Sequence, residues 1–422
     1  LADAYQLDNS LRVPFETEFD HHVGNRPDRR TYEGFVRPDL WWNGLDGAKV
    51  GVHFHGDWMR YKHKLWFTAW VSTGMGQYLR EGAQPTDLTP FQFNFRYENG
   101  TEKLLKGSSV HVAARHLDGL ELYSAGLQWR VPGDNTELYT TWRFLLRRDS
   151  TDLLYLQHPD EWEPASLNSA WDSGLKRRVD LLGGRSNVRF NVRNSGVGSA
   201  FRYAQLTLSA VNEHDLGKLK LHTRGFLQFG TGDTPRESRL YLAGASPEEL
   251  MEDKYLRAGG FFPYDWTGHG RDVNHLQAGG GLNLRGYAGY LAPDLDEHGN
   301  VILTYSGNSG ASFSAELDVD GLVRLRPKAT RKWLHVDAYL FGDVGSMGYR
   351  STTDAGTVRL RLATPRADAG AGLALTVKKW GPLVDVNPLT IRFDMPLFLS
   401  NVPAGESEHF AFRYVVGIGR SF

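Results

Sequence analysis

Two groups of residues in this 422-residue chain have the types and spacing to do chemistry. The first is the stretch Gly279-Gly280-Gly281-Leu282-Asn283-Leu284-Arg285-Gly286-Tyr287, followed downstream by Glu316 and Asp343. An arginine facing carboxylates forms bidentate, charge-assisted bonds, and flanking glycines let the backbone come close to a wall. The second is His53 and His55, two apart on one strand face, with His63 as a third ligand of a metal set. Histidines so spaced on a polar wall read better as lining, and no metal is assigned. Asp294-Leu295-Asp296-Glu297-His298-Gly299 opens like a calcium loop, but its twelfth position is Tyr305 where the bidentate glutamate belongs. At most weak calcium binding near Asp294 and Asp296 is expected, and no cofactor. The triple glycine lacks the Lys-Ser/Thr of a phosphate loop. Neither Gly-x-Ser-x-Gly nor His-Glu-x-x-His occurs, and there is no cysteine. The chain is therefore expected to carry no catalytic residues.

The residues around these groups alternate. Leu389, Ile391, Phe393, Met395 and Leu397 interleave with Thr390, Arg392 and Asp394, and Val188, Phe190 and Val192 with Arg189, Asn191 and Arg193. At the C-terminus Phe410, Phe412, Tyr414, Val416 and Ile418 interleave with Ala411, Arg413, Val415, Gly417 and Gly419. Strict period 2 marks strands whose two faces meet different surroundings. The pattern predicts sixteen strands near 32–42, 47–57, 63–73, 89–98, 106–116, 119–131, 136–149, 166–180, 186–195, 200–212, 217–231, 309–325, 331–345, 366–379, 388–399 and 408–422. Short turns such as Asp118-Gly119 and Gly133-Asp134-Asn135 alternate with longer loops. Strands of about 9–11 residues suit a membrane, and in lipid an all-β chain must close on itself. The fold class is thus all-β, a sixteen-stranded antiparallel transmembrane barrel, over residues 32–422 after an N-terminal periplasmic segment, 1–31. A soluble sandwich would have to bury Arg189, Arg193, Arg392 and Arg413 opposite its apolar face, which a wet lumen accommodates.

Residues 232–308 break the alternation. Ser246-Pro247-Glu248-Glu249 is a capping box with proline at the first helical position, and it predicts a short helix running on from Leu250 to Arg257. A structureless stretch of this length is usually functional. The composition agrees with a barrel: 48 basic against 49 acidic residues offer nucleic acid no global partner surface. Twelve tryptophans supply rings for interfacial girdles, with Trp41, Trp42, Trp66, Trp70, Trp142 and Trp333 as candidates.

With its place in a long loop before the fifth strand from the end, Arg285-Gly286-Tyr287 resembles the signature of the BamA–FhaC (bacterial surface antigen) superfamily of outer-membrane barrels. That resemblance implies a sixth extracellular loop folded into the lumen, its arginine on acids of the next two strands. Parity puts both acids inward: Glu316 lies opposite the lipid-facing Ala311, Phe313, Ala315 and Leu317, and Asp343 follows Phe341 and Gly342, which resemble the family's element on that strand. Gly370-Ala371-Gly372-Leu373, Arg392-Phe393-Asp394-Met395-Pro396-Leu397 and the terminal Phe422 also look like this superfamily. Phe410, Phe412, Tyr414 and Phe422 then stand as its insertion signal. At the seam between first and last strands, Gly417 and Gly419 weaken the last strand and Pro38 in the first lacks a donor. Crowding in the lumen and a place near the rim are alternative reasons for them. The resemblance implies outer-membrane lipid, a polypeptide client and periplasmic or surface protein subunits as partners. It also implies a role in moving or inserting polypeptide at the bacterial outer membrane. The departure is the front: about 31 residues precede the first predicted strand, too few for a POTRA module. The alternative is a non-catalytic anchor that displays a fused or partner enzyme, peptidase- or patatin-like.

Overall fold

The computed structural model describes residues 14–20, 28–181, 183–268, 274–289, 294–295, 301–303, 305–322, 332–352, 358–378, 388–402 and 406–422. Its strands, in chain order, are β1 (Phe15–Phe19), β2 (Tyr32–Asn43), β3 (Gly47–Trp58), β4 (Lys62–Ser72), β5 (Phe91–Gly100), β6 (Ser108–Leu117), β7 (Leu120–Arg130), β8 (Thr136–Leu146), β9 (Asn168–Leu181), β10 (Gly184–Ser195), β11 (Tyr203–Leu216) and β12 (Leu219–Gly232). Four very short ones follow within the long loop: β13 (Leu240–Tyr241), β14 (Asp294–Leu295), β15 (Val301–Leu303) and β16 (Ser306–Gly307). The chain then returns to the sheet with β17 (Ser309–Asp318), β18 (Leu334–Thr352), β19 (Val358–Leu362), β20 (Arg366–Val377), β21 (Leu389–Leu399) and β22 (Val415–Ile418).

Eighteen of these strands form one sheet. From β2 to β12 each strand pairs antiparallel with the next, and the ladder continues through β17, β18, β20, β21 and β22. β19 pairs with the far end of β18, and β1 lies parallel to β2.

The sheet is inside-out compared with a water-soluble core. On β3, Val50 and Val52 are exposed, whereas Lys49 of the opposite parity is fully buried. On β17, Phe313 is exposed between buried Ser312 and Ser314, and on β18 Leu340 and Val344 are exposed beside buried Phe341 and Asp343. The buried face is contacted by the described residues of the long loop. Their side chains reach Asp118 between β6 and β7, Arg193 on β10, and Glu316 and Asp343 on β17 and β18. One loop meeting one face of strands so far apart in the ladder requires the sheet to curl around it.

Several expectations are corrected. The N-terminal segment carries a strand, β1, where none was expected. The last strand is four residues long rather than 408–422, because Gly419 adopts φ +78 and Phe410 only bridges Phe398. The capping box at Ser246 forms, but helix α1 (Pro247–Leu250) makes a single turn. Asp253 takes the Tyr255 backbone N–H at 2.7 Å, and side-chain bonding of this kind competes with a helix. Trp66 and Trp70 sit on the inward side of β4, Trp70 buried with its indole N–H on Asp39 (3.2 Å), so neither is a girdle residue.

Candidate functional site

Leu282 and Leu284 donate backbone N–H groups to the carbonyls of Tyr241 and Leu242, so the glycine-rich stretch lies as a strip along the end of β13. Gly280 and Gly281 have positive φ, and a Cβ on Gly281 would stand 2.4 Å from the Gly244 carbonyl. The strip's leucines bury with Leu240, Leu242, Tyr287, Met347 and Leu399 in an apolar cluster. That cluster excludes water from the guanidinium beyond it.

Arg285 is fully buried. Its Nε donates to Asp343 Oδ2 at 2.8 Å, its Nη2 to Asp343 Oδ1 at 3.1 Å and its Nη1 to Glu316 Oε1 at 2.7 Å. The guanidinium lies over the Phe341 ring, 4.2 Å from its centroid, a cation–π contact strengthened by desolvation. Asp394 stands 3.8 Å away on β21. Burial works against the charge on Arg285, but Asp343, Glu316 and Asp394 outweigh it and hold the group protonated well above its ordinary range. Gly286 donates its N–H to Asp368 on β20 at 3.1 Å, and a Cβ there would lie 2.7 Å from both Asp368 and Leu399. The Tyr287 hydroxyl donates to the Ala367 carbonyl and receives the Asn401 N–H.

The structure thus brings together Arg285, Gly286, Tyr287, Phe341, Asp343 and Glu316. Gly342 is near them without being tight: the nearest atom to a Cβ there is 3.7 Å away. Gly417 lies beside the site, since a Cβ would meet the Gln277 carbonyl at 2.6 Å and the Arg392 guanidinium at 2.7 Å. Crowding therefore accounts for this glycine, and Gly419 supplies the bend. Phe410 and Phe412 are exposed, Tyr414 stacks on His275 with centroids 4.1 Å apart, and Phe422 lies past the end of β22. Pro38 lies within β2.

Around this group lies a wider set that sequence reading left out: Asp394 pairs with Arg392 and accepts from Tyr339 (2.5 Å), and Arg392 donates to the Gln277 carbonyl (2.9 Å). The alternation already placed Arg392 and Asp394 inward, which was the signal available for them.

A second buried polar cluster lies under the long loops, and nothing in the sequence singled it out. Lys49 Nζ contacts Asp118 (2.5 Å), Asp46 (3.2 Å) and Gln92 (3.2 Å), and Arg257 from the long loop closes on Asp118 at 2.6 Å. Asn43 donates to both aspartates, and Tyr155 donates to Asp46 at 2.5 Å. Burial alone would raise the Asp118 pKa, but Lys49 and Arg257 overcome it and hold the carboxyl well below its usual range. A third anchor is Glu248, which takes Arg143 (2.5 Å), Arg193 (2.7 Å) and Ser238 (2.6 Å), while Asp172 takes the same two arginines. Beside it Glu237 accepts from Asn168 at 2.8 Å, and burial pushes its carboxyl up to about 7. Burial likewise raises Glu161 to about 8.

The histidine set does not assemble: His53 bonds Thr68 (2.7 Å) and His63 bonds Tyr97 (2.8 Å). Among the described residues the one grouping with metal-ligand spacing is Asp320, His335 and Asp337, where His335 already contacts Asp337 at 2.6 Å. Asp294 lies in β14, and Asp296 lies outside the described residues.

No family model matches the chain, and no curated protein matches it. Among solved structures it is similar to BamA from Haemophilus ducreyi lacking POTRA domains 1–3, with 13% identity over 92% of this chain and 70% of that one at a TM-score of 0.44. It is also similar to CdiB from Escherichia coli, with 12% identity over 91% of this chain and 61% of that one at 0.45. A BenF-like porin from Pseudomonas fluorescens gives 11% identity over 91% and 85% at 0.42. At these scores the likeness is one of distant shape, and no assignment of family or function follows from it.

Proposed function

We propose that this chain is a sixteen-stranded outer-membrane β-barrel of the BamA–FhaC kind, which moves or inserts polypeptide at the bacterial outer membrane. The reading rests above all on Arg285. A fully buried loop arginine, held by Asp343 and Glu316 from two neighbouring strands, pins its loop against the wall as a plug. The exposed apolar and buried charged faces of β3, β17 and β18 support lipid outside and a polar lumen inside. In this reading the ladder curls until β2 and β22 face each other across a seam, and Phe410, Phe412, Tyr414 and Phe422 act as the insertion signal. Outer-membrane lipid, a polypeptide client and periplasmic or surface subunits are the partners, and the chain itself contributes no catalytic step.

The alternative, a barrel that anchors a fused or partner peptidase- or patatin-like enzyme, gains from the second and third anchors. Arg257 on Asp118 and Glu248 on Arg193 hold the loop at further points, as suits a static plug.

Reconstitution into liposomes decides between them. If the proposal holds, the full chain speeds insertion of a urea-unfolded outer-membrane barrel over empty liposomes, and Arg285→Ala abolishes the gain. A properly folded chain with no effect on insertion leaves the anchor reading.

A further inference from the structure

The two end strands of the antiparallel ladder, β2 and β22, each present one row of backbone groups that their neighbour in the ladder does not use. On β22, Gly419 donates to the Thr390 carbonyl of β21 (2.9 Å), and Val415 and Gly417 share its parity. Val416 and Ile418 therefore point away from β21. The Val416 N–H donates to the His275 carbonyl at 2.7 Å, and its carbonyl accepts the Gln277 N–H at 3.0 Å, a parallel bridge centred on Leu276. The contact is reinforced on both sides. His275 lies flat on Tyr414, the Gln277 carbonyl receives Arg392, and Asn283 donates to Ser421 at 2.7 Å.

On β2 the outward row is Tyr32, Gly34 and Val36. β1 runs parallel along it, with Phe15 opposite Tyr32 and Phe19 opposite Val36. Tyr32 donates to the Pro14 carbonyl (2.8 Å), and Asp20 donates its N–H to the Val36 carbonyl (3.0 Å). Phe15 stacks on Tyr32 and Phe54, and Asp20 pairs with Arg37 at 3.0 Å. The next residue of that parity is Pro38, which has no N–H to offer, and β1's pairing stops before it.

We infer that each edge of the seam is an intramolecular strand-addition site with its own occupant: 275–277 on β22 and 15–19 on β2. Each backbone N–H makes one strong bond, so the groups held by these caps are not free to join β2 directly to β22. Capped and zipped seams are therefore mutually exclusive. The β22 cap also lies nine residues before Arg285 in the same loop, which ties the state of the seam to retention of the plug. This inference rests on the barrel reading above.

The natural chain has no cysteine, so paired cysteines introduced into protein kept in native outer membranes report the seam cleanly. The cap pairs are Glu18→Cys with Phe35→Cys, and Leu276→Cys with Val416→Cys, each opposite in register. The seam pairs are Val36→Cys with Tyr414→Cys, Val416→Cys or Ile418→Cys in turn. Mild oxidation is expected to cross-link both cap pairs in most molecules and the seam pairs in few. Efficient cross-linking of any seam pair, or failure of both cap pairs, overturns the inference. Heat-modifiable migration of the same samples on gels reports the barrel separately. A shift with uncross-linked caps sinks the caps alone, and absence of a shift in the parent protein sinks the barrel.

Discussion

The pocket around Arg285 and the cluster around Lys49 solve the same problem in different ways. Both bury a cation and its carboxylates where water does not reach, and both tie the long loop to the sheet. The Arg285 pocket is rich in acid: Arg285 and Arg392 face Glu316, Asp343, Asp368 and Asp394. The Lys49 cluster is balanced, with Lys49 and Arg257 against Asp46 and Asp118, and Asn43, Gln92 and Tyr155 fill the remaining bonds. Removing one charged partner should therefore cost more in the first than in the second, because more like charges are left uncompensated.

That difference is open to direct attack. Arg285→Ala should produce the largest effect, about 3–5 kcal/mol from breaking a buried pair, read as lost heat-modifiability and rapid proteolysis of the long loop. A charge swap of Arg285 with Asp343 should recover part of the loss, and a double swap no better than either single one would dismiss the pairing. Asp118→Asn should cost less, about 1.5–3 kcal/mol, the value of hydrogen bonds to charged groups, since Asp46 still faces Lys49. Equal losses for Arg285→Ala and Asp118→Asn in urea titrations would erase the contrast. Gly286→Ala should cost about 1–3 kcal/mol through overlap with Asp368 and Leu399, whereas Gly342→Ala, with room around it, should stay within about 0.5 kcal/mol.

The pH dependence separates the regions in another way. Glu161 and Glu237 have pKa values raised by burial to about 8 and about 7, so the folded roof holds protons that the unfolded chain releases near its ordinary 4.5. Their contribution is fully present below about pH 4.5 and is lost as pH rises toward 8. Amide exchange in 151–161 and 236–250 should quicken over that window, and Glu161→Gln should flatten the change. Arg285 itself stays charged throughout that window.

Much of the sheet was legible because period 2 is a local property. The strand expected at 388–399 lies at Leu389–Leu399, and 63–73 at Lys62–Ser72. The same parity pointed Glu316 and Asp343 to one face before any contact was known. The Lys49 cluster was hidden because its members come from turns and strand ends far apart in sequence, and no short pattern links Asp46, Asp118 and Arg257. β1 was hidden as well. Five residues, Phe-Glu-Thr-Glu-Phe, are a weak signal, and only the open edge of β2 gives them a partner.

By itself the sequence determined that side chains alternate between two faces along each strand, and it put Glu316 and Asp343 on the same one. Side-chain direction is fixed residue by residue along an extended chain. Tertiary structure alone decided that Asp394 and Asp368 stand beside Glu316 and Asp343 there, and that the last strand stops after four residues. Those outcomes depend on which strands the loop touches and which backbone groups are still unpaired once the ladder has formed.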